Sequence, residues 1–208
     1  ASADFGGNLP SLLQDGHVGV LTATMSLLIG LTSKHEVEYS PMVPYVIQIL
    51  DKLVVRKQVT PDYLYYRTPS PWLTVKLLRF LQYFPELMQS GVAGDPNIRT
   101  LTNVLHTILK ETDVSDSINK SNADHAVLFE AISLIVVFGD AGNGDLANQS
   151  MALLGKFVSV REPNIRYLGL MTMSRLAMLH DINKETIKGF QDTVVVSLKD
   201  ADISVRRR

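Results

Sequence analysis

Apolar positions recur every three to four residues through almost the whole chain, and the period of two that marks a strand is nowhere sustained. The clearest stretch is Pro71-Trp72-Leu73-Thr74-Val75-Lys76-Leu77-Leu78-Arg79-Phe80-Leu81-Gln82-Tyr83-Phe84-Pro85. At about 100° per residue, Leu73, Leu77, Phe80 and Phe84 fall within about 60° of one another. Leu78 and Leu81 widen that face, and Lys76, Arg79, Gln82 and Tyr83 share the other side. Pro71 suits a first helical turn, where its missing N–H has no partner to lose, and Pro85 disfavours helical geometry at Phe84. The pattern predicts a helix over 71–84 with an apolar face too broad for one neighbour to cover.

The same periodicity predicts helices over about 18–34, 43–57, 97–110, 123–138, 146–158, 164–179 and 183–198. Leu9, Leu12 and Leu13 read as a helix end stopped at Asp15-Gly16. The helices at 18–34 and 123–138 are apolar nearly all round, which predicts that others sandwich the first of them. Residues 1–8 are small, Gly-rich and aperiodic, and stand outside the helical run. Residues 58–70 read as a long connection, 86–96 as a loop, and 111–122 as a polar, aperiodic segment expected to be mobile.

A phrase recurs at helix starts: Gly16-His17-Val18-Gly19-Val20, Pro71-Trp72-Leu73-Thr74-Val75, Pro163-Asn164-Ile165-Arg166-Tyr167 and Ala201-Asp202-Ile203-Ser204-Val205. With the start near Val127, the spacing is roughly 38–55 residues, which overlaps the HEAT and armadillo range. The expected fold is all-α, an α-solenoid of HEAT/armadillo-like antiparallel helix pairs. Residues 9–208 would form part of one solenoid that continues past both ends.

Composition narrows the class. Hydrophobic residues make up 46% of the 208, enough for a core, and the formal net charge of −1 gives no reason to expect a nucleic-acid or membrane-surface protein. Without cysteine there is neither a disulfide framework nor a thiolate metal site. No run approaches the roughly 18–20 apolar residues of a membrane span. No signal-peptide pattern opens the chain, and a soluble intracellular setting is expected.

Little in the chain points to catalysis. Leu134 to Gly144 resembles a strand entering a Gly-rich phosphate loop, but its glycines do not fit G-x-G-x-x-G and no Lys-Ser/Thr follows. Ala141 also stands where a hydrolase serine would be needed, so a helix-to-helix turn with Gly caps is expected. His17, His35, His106, His125 and His180 are scattered, without metal-ligand spacing. No catalytic, cofactor or metal residue emerges. Lys52, Arg56, Lys57, Lys76 and Arg79 could line one groove as headgroup or partner contacts. Tyr63, Tyr65 and Tyr66 near Trp72 could form an aromatic contact surface or simply pack the connection onto the solenoid.

Three ordered blocks carry a family resemblance. They are Tyr65-Tyr66 with the Pro69 to Gln82 stretch, Asn122-Ala123 with Ala126 to Ile135, and Arg161-Glu162 with Asn164 to Leu168. Together with Asp202 to Arg206 they resemble the trunk of the alpha-adaptins, large subunits of the plasma-membrane clathrin adaptor (adaptor protein complex 2). Gamma-adaptin-like subunits share the later blocks; the Pro-Trp-Leu block and Val127-Leu128-Phe129-Glu130-Ala131 favour alpha.

The resemblance implies a non-enzymatic scaffold in clathrin-mediated endocytosis and vesicle transport. It would hold the beta, medium and small subunits and link cargo to clathrin, without cofactor or nucleic acid. It also implies a cytoplasmic protein, peripheral on the plasma membrane at coated pits. The family's phosphoinositide site would precede Ala1 and its ear domain would follow Arg208. Another adaptin, a coatomer-like or nuclear-transport solenoid, and an enzyme built on the Gly139–Gly144 turn stay open as alternatives.

Overall fold

The computed structural model describes residues 8–88, 95–112, 118–139, 144–180 and 182–207. These residues form helices joined by turns, with one two-stranded hairpin. The expectation for 1–8 falls almost wholly on residues outside that set. The chain divides into two compact units, 1–134 and 135–208.

The first unit holds α1 (Leu9–Leu13), α2 (Val18–Thr32), the short α3 (Glu36–Tyr39), α4 (Val43–Leu50), α5 (Pro71–Leu81), α6 (Pro96–Glu111) and most of α7 (Ile118–Phe138). α1 and α6 pack on α4, while α2 packs on α5, as in a stack of helix pairs. The six residues predicted for the apolar face around α5 (Leu73, Leu77, Leu78, Phe80, Leu81 and Phe84) are all buried.

The α5 helix ends at Leu81, three residues before the predicted limit. Pro85 excludes α geometry at Phe84, so the last turn tightens: the amides of Gln82, Tyr83 and Phe84 donate to the carbonyls of Arg79, Phe80 and Leu81. Phe84 is buried all the same, its ring centroid 5.1 Å from that of Phe80. On α4 the predicted stripe Val43, Val46, Ile47, Leu50, Leu53 and Val54 is buried as expected, and its last residues form a π-helical turn, Asp51–Val55.

Four expectations change in this unit. α2 is not enclosed: Leu21, Thr24, Met25, Leu28 and Thr32 are buried, but Gly19, Ala23, Ser26, Leu27 and Gly30 face solvent. Of the large apolar residues that made the helix look apolar all round, Val18, Val20 and Leu31 are only half-buried and Leu27 is exposed. The 58–70 connection contains a hairpin, Leu64–Tyr65 against Thr68–Pro69, whose turn residues Tyr66 and Arg67 both have positive φ (46° and 74°). Those angles suit the tight turn that right-twisted strands need, a geometry normally marked by Asn-Gly.

The other two changes concern α7. It starts at Ile118, inside the segment expected to be a mobile loop, and the Lys120–Asp124 ion pair across one turn supports that start. Residues 113–117 lie outside the described set. Asn119–Phe138 is also long and apolar enough to cross a membrane by length and hydropathy, contrary to the expectation that no run approaches this. Over half of the tested window is buried, and core residues Leu128, Ala131, Ile132 and Leu134 explain the composition.

The second unit holds the end of α7, then α8 (Gly144–Phe157), α9 (Pro163–Leu176), α10 (Lys184–Gly189), α11 (Gln191–Ser197) and α12 (Ile203–Arg206). α8 packs on α9 and α10, and α9 packs on α12. Gly139, with φ +58°, follows α7 as the expected cap; residues 140–143 lie outside the described set. The helix predicted over 183–198 is instead two, broken at Phe190, whose ring lies so close to Gly155 that a Cβ there would stand 2.1 Å away. Asn183 and Asp202 cap as their side chains suggest, accepting from the amides of Glu185 and Ser204.

Candidate functional site

Among the concavities of the first unit built against the 58–70 connection, two hold candidate basic residues. The smaller, about 120 Å³, is lined by Leu53, Lys57, Arg67, Thr68, Glu111, Lys120 and Asp124 among others. Its charges are largely compensated in pairs. Lys57 Nζ lies 2.5 Å from Glu111 Oε2, Lys120 pairs with Asp124, and Thr68 Oγ1 donates to Asp124 Oδ1 at 2.6 Å.

The larger concavity, about 580 Å³, is an open groove between α2 and α5. Gly19, Ala23 and Ser26 of α2 line one side, and Leu64, Tyr65, Trp72 and Leu73 line another. Tyr65 stands edge-on to both Tyr66 and Trp72, with centroids 4.8 Å apart in each pair. Trp72 is 61% exposed and Tyr66 51%, although both rings are held by these contacts. At the mouth of α2, His17 accepts the Gly19 amide and meets the Tyr63 hydroxyl at 3.0 Å. Lys76 reaches across the groove, its Nζ donating to Ser26 Oγ at 2.9 Å.

The five basic residues do not share one cavity. Lys57 lines the smaller and Lys76 the larger, while Lys52 is exposed on the π-helical turn. Arg56 Nε pairs with Asp51 at 2.6 Å. Arg79 forks onto Glu130 of α7, donating from Nε at 3.1 Å and from Nη2 at 2.8 Å, and Gln82 donates to the same carboxylate. The hydrogen bond and charge of Glu130 push the Arg79 guanidinium above its ordinary value, so its proton is secure. Arg79 therefore ties α5 to α7.

Other polar groups read from the sequence resolve structurally. His125 is buried on α7, and burial holds its imidazole below the ordinary histidine range while neighbouring Asp124 pulls the other way. Among the described residues, no three His, Asp or Glu side chains are grouped so as to hold a metal ion. The segment before Gly139 that an enzyme reading needs as a strand is the last part of helix α7. What the sequence reading missed is the solvent side of α2 and the exposed Leu64. The small residues Gly19, Ala23 and Ser26, spaced for one helix face, were the available signal.

Comparison with known proteins places this architecture. The family described as the adaptin N terminal region matches residues 3–208. The chain belongs to that family. Among its relatives, the AP-2 complex subunit alpha-1 of Arabidopsis thaliana is 48% identical over 201 residues, 96% of this chain and 19% of the relative. The AP-2 complex subunit alpha-2 of Dictyostelium discoideum is 42% identical over 204 residues, 96% of this chain and 20% of the relative. The AP-1 complex subunit gamma of the same organism is 27% identical over 203 residues. This adaptin chain thus spans about a fifth of the length of the curated relatives it matches. The family match supports the helical solenoid read from the sequence, and the AP-2 alpha relatives support the alpha-type resemblance.

Proposed function

We propose that the chain is a stretch of the helical trunk of an alpha-type large subunit of a clathrin adaptor complex, with residues 9–208 one run of helix pairs within it. The observation that carries this reading is the identity of 48% to an AP-2 alpha subunit, sustained over 96% of the chain, against 27% to an AP-1 gamma subunit. Its role is that of a non-enzymatic scaffold in endocytosis. It holds the beta, medium and small subunits, and through the assembled complex connects cargo and a phosphoinositide membrane to clathrin at coated pits. The packing supports such a role, because α5 spends its whole apolar face on neighbours and its Arg79 on a neighbouring helix.

Within this reading Lys52, Arg56, Lys57, Lys76 and Arg79 are proposed headgroup or partner contacts, with Lys52 and Lys76 outside the ion pairs described above. The test is co-expression of the full-length protein with beta, medium and small subunits. A stable four-part complex recovered by gel filtration, and loss of that complex when residues 9–208 are deleted, is the expected result. A full-length protein that assembles instead with coatomer or nuclear-transport partners would sink the proposal.

A further inference from the structure

We propose that Thr60 is a phosphorylation site for a proline-directed protein kinase. The inference goes beyond the adaptor reading and does not depend on it. Four hydroxyl residues of the chain precede a proline: Ser40-Pro41, Thr60-Pro61, Thr68-Pro69 and Ser70-Pro71. In the sequence the four pairs are equivalent. The fold separates them.

Three of the hydroxyls are already committed. Ser40 opens a short 3-10 helix, Ser40–Met42, with helical backbone angles, and its Oγ donates to the Val37 carbonyl at 3.0 Å. Thr68 lies in the hairpin opposite Tyr65, and its Oγ1 donates to Asp124 Oδ1 at 2.6 Å. Ser70 is buried with φ +37°, and its Oγ donates to the Tyr63 carbonyl at 3.4 Å. A kinase reaches any of these only by breaking structure around it.

Thr60 differs in each respect. It is exposed, and its φ of −70° and ψ of 151° are the extended geometry that a following proline favours. Among the described residues its hydroxyl has no hydrogen-bond partner. Arg56, Lys57, Gln58, Pro61 and Asp62 are exposed as well, so a kinase cleft can enclose the chain on both sides of the acceptor. The turn that follows is closed by the Tyr63 amide donating to the Thr60 carbonyl at 3.0 Å, a small structure to open. Thr60 also borders an open concavity of about 500 Å³ with Gly16, His17 and Tyr63, which leaves room for the added group.

The reaction is phosphoryl transfer from ATP. Thr60 Oγ1 attacks the γ-phosphorus, and an O–P bond forms as the bond from that phosphorus to the β,γ-bridging oxygen breaks. The hydroxyl proton passes to the catalytic carboxylate of the kinase, and ADP leaves. Pro61 has no N–H, so closure of the kinase around the position after the acceptor strands no donor. The product carries about −1.5 to −2 of charge at neutral pH. On a chain whose formal net charge is −1, that is a charge switch at an exposed edge.

The test incubates the full-length protein with ATP, Mg²⁺ and recombinant kinases of the mitogen-activated and cyclin-dependent classes, each first shown to label a standard peptide substrate. Phosphate is mapped by tryptic mass spectrometry. Trypsin cuts after Lys57 and Arg67, which places Thr60 in the peptide 58–67 and Thr68 and Ser70 in the peptide 68–76. Early in the reaction, label on Thr60 should exceed that on Ser40, Thr68 and Ser70 at least tenfold. Thr60→Ala should remove it, and Pro61→Ala, which keeps the hydroxyl, should slow it at least tenfold. Circular dichroism of both variants and of the phosphorylated protein should match the parent. The proposal is overturned if both kinase classes leave Thr60 unlabelled, if Ser40, Thr68 or Ser70 is labelled first in the folded protein, or if Pro61→Ala is labelled at Thr60 as fast as the parent.

Discussion

Arg79→Ala tests whether a residue that looks like a surface cation is a structural tie. Its guanidinium forks onto both oxygens of Glu130, and Gln82 adds a third donor at 2.7 Å. The Arg79 side chain is 56% exposed and that of Glu130 only 14%. Truncation leaves a mostly desolvated carboxylate with Gln82 as its remaining donor from α5. Losing a hydrogen bond to a charged group costs about 1.5–3 kcal/mol. Because water reaches the pair from the arginine side, screening lowers the expected loss to about 1–2 kcal/mol. In a chain of this size that corresponds to a fall in Tm of about 2–8 °C.

Urea unfolding followed by Trp72 fluorescence reads the effect locally, since this is the chain's one tryptophan and it sits on α5. The double-mutant cycle with Glu130→Ala should return a coupling of about 1 kcal/mol. Arg79→Lys keeps the charge without the fork and should recover less than half of it. A change below about 0.3 kcal/mol for Arg79→Ala, or a coupling near zero, would mean that water replaces the fork at no cost, and the reasoning fails.

Glycine substitutions should have opposite signs at two sites. Gly30→Ala meets nothing within 4 Å on a helix and should stabilise by about 0.5–1 kcal/mol, whereas Gly155→Ala drives a Cβ into Phe190 and should lower Tm, with Phe190→Ala partly relieving it. Arg67→Gly removes a side chain from a left-handed position at φ 74° and should raise the urea midpoint by the equivalent of about 1 kcal/mol. On the acid side, the Arg166 guanidinium, and then the Asp202 amide, hold the Asp200 carboxyl below the usual range. Its contribution is full above about pH 4 and is lost as pH falls through the lower folded value, so Asp200→Asn should flatten that part of a Tm–pH curve. Burial lowers the His125 pKa against the pull of Asp124, so the native state resists the added proton. Stability should fall as pH drops below about 6.5, and His125→Asn should reduce that slope.

Much of this fold is legible because helices print their period in the chain. Leu73, Leu77, Phe80 and Phe84 share a face by spacing alone, and Pro71, Asn183 and Asp202 mark helix starts through local chemistry that needs no distant partner. The family resemblance rests on the same residues, since packing positions make up most of the Pro69–Gln82 block. Where the reading failed, the deciding information was not local. α2 looked enclosed because Val18, Val20, Leu27 and Leu31 spread apolar groups around it, yet the packing of α1, α3 and α5 against it leaves Leu27 exposed and the other three half-buried. The hairpin escaped because Tyr66-Arg67 is poor chemistry for its turn and surrounding contacts impose the geometry. At the break, the Phe190 ring packs against Gly155, 35 residues away in the chain.

The candidate site divides in the same way. The grouping of the tyrosines near the single tryptophan could be named from the sequence, but the separation of the lysines could not. Side chains from residues 18–26, 62–65 and 70–76 meet in the groove only because α2 lies along α5 and the connection folds back over both. The same packing separates Lys57 from Lys76 and commits Arg79 to Glu130, a partner 51 positions away. Helical periodicity is a property of neighbours in sequence, so the chain alone determined where most of the helices lie and which faces of α4 and α5 are buried. Which charges are compensated and which line an open groove depends on contacts across tens of residues, and tertiary packing alone decided that.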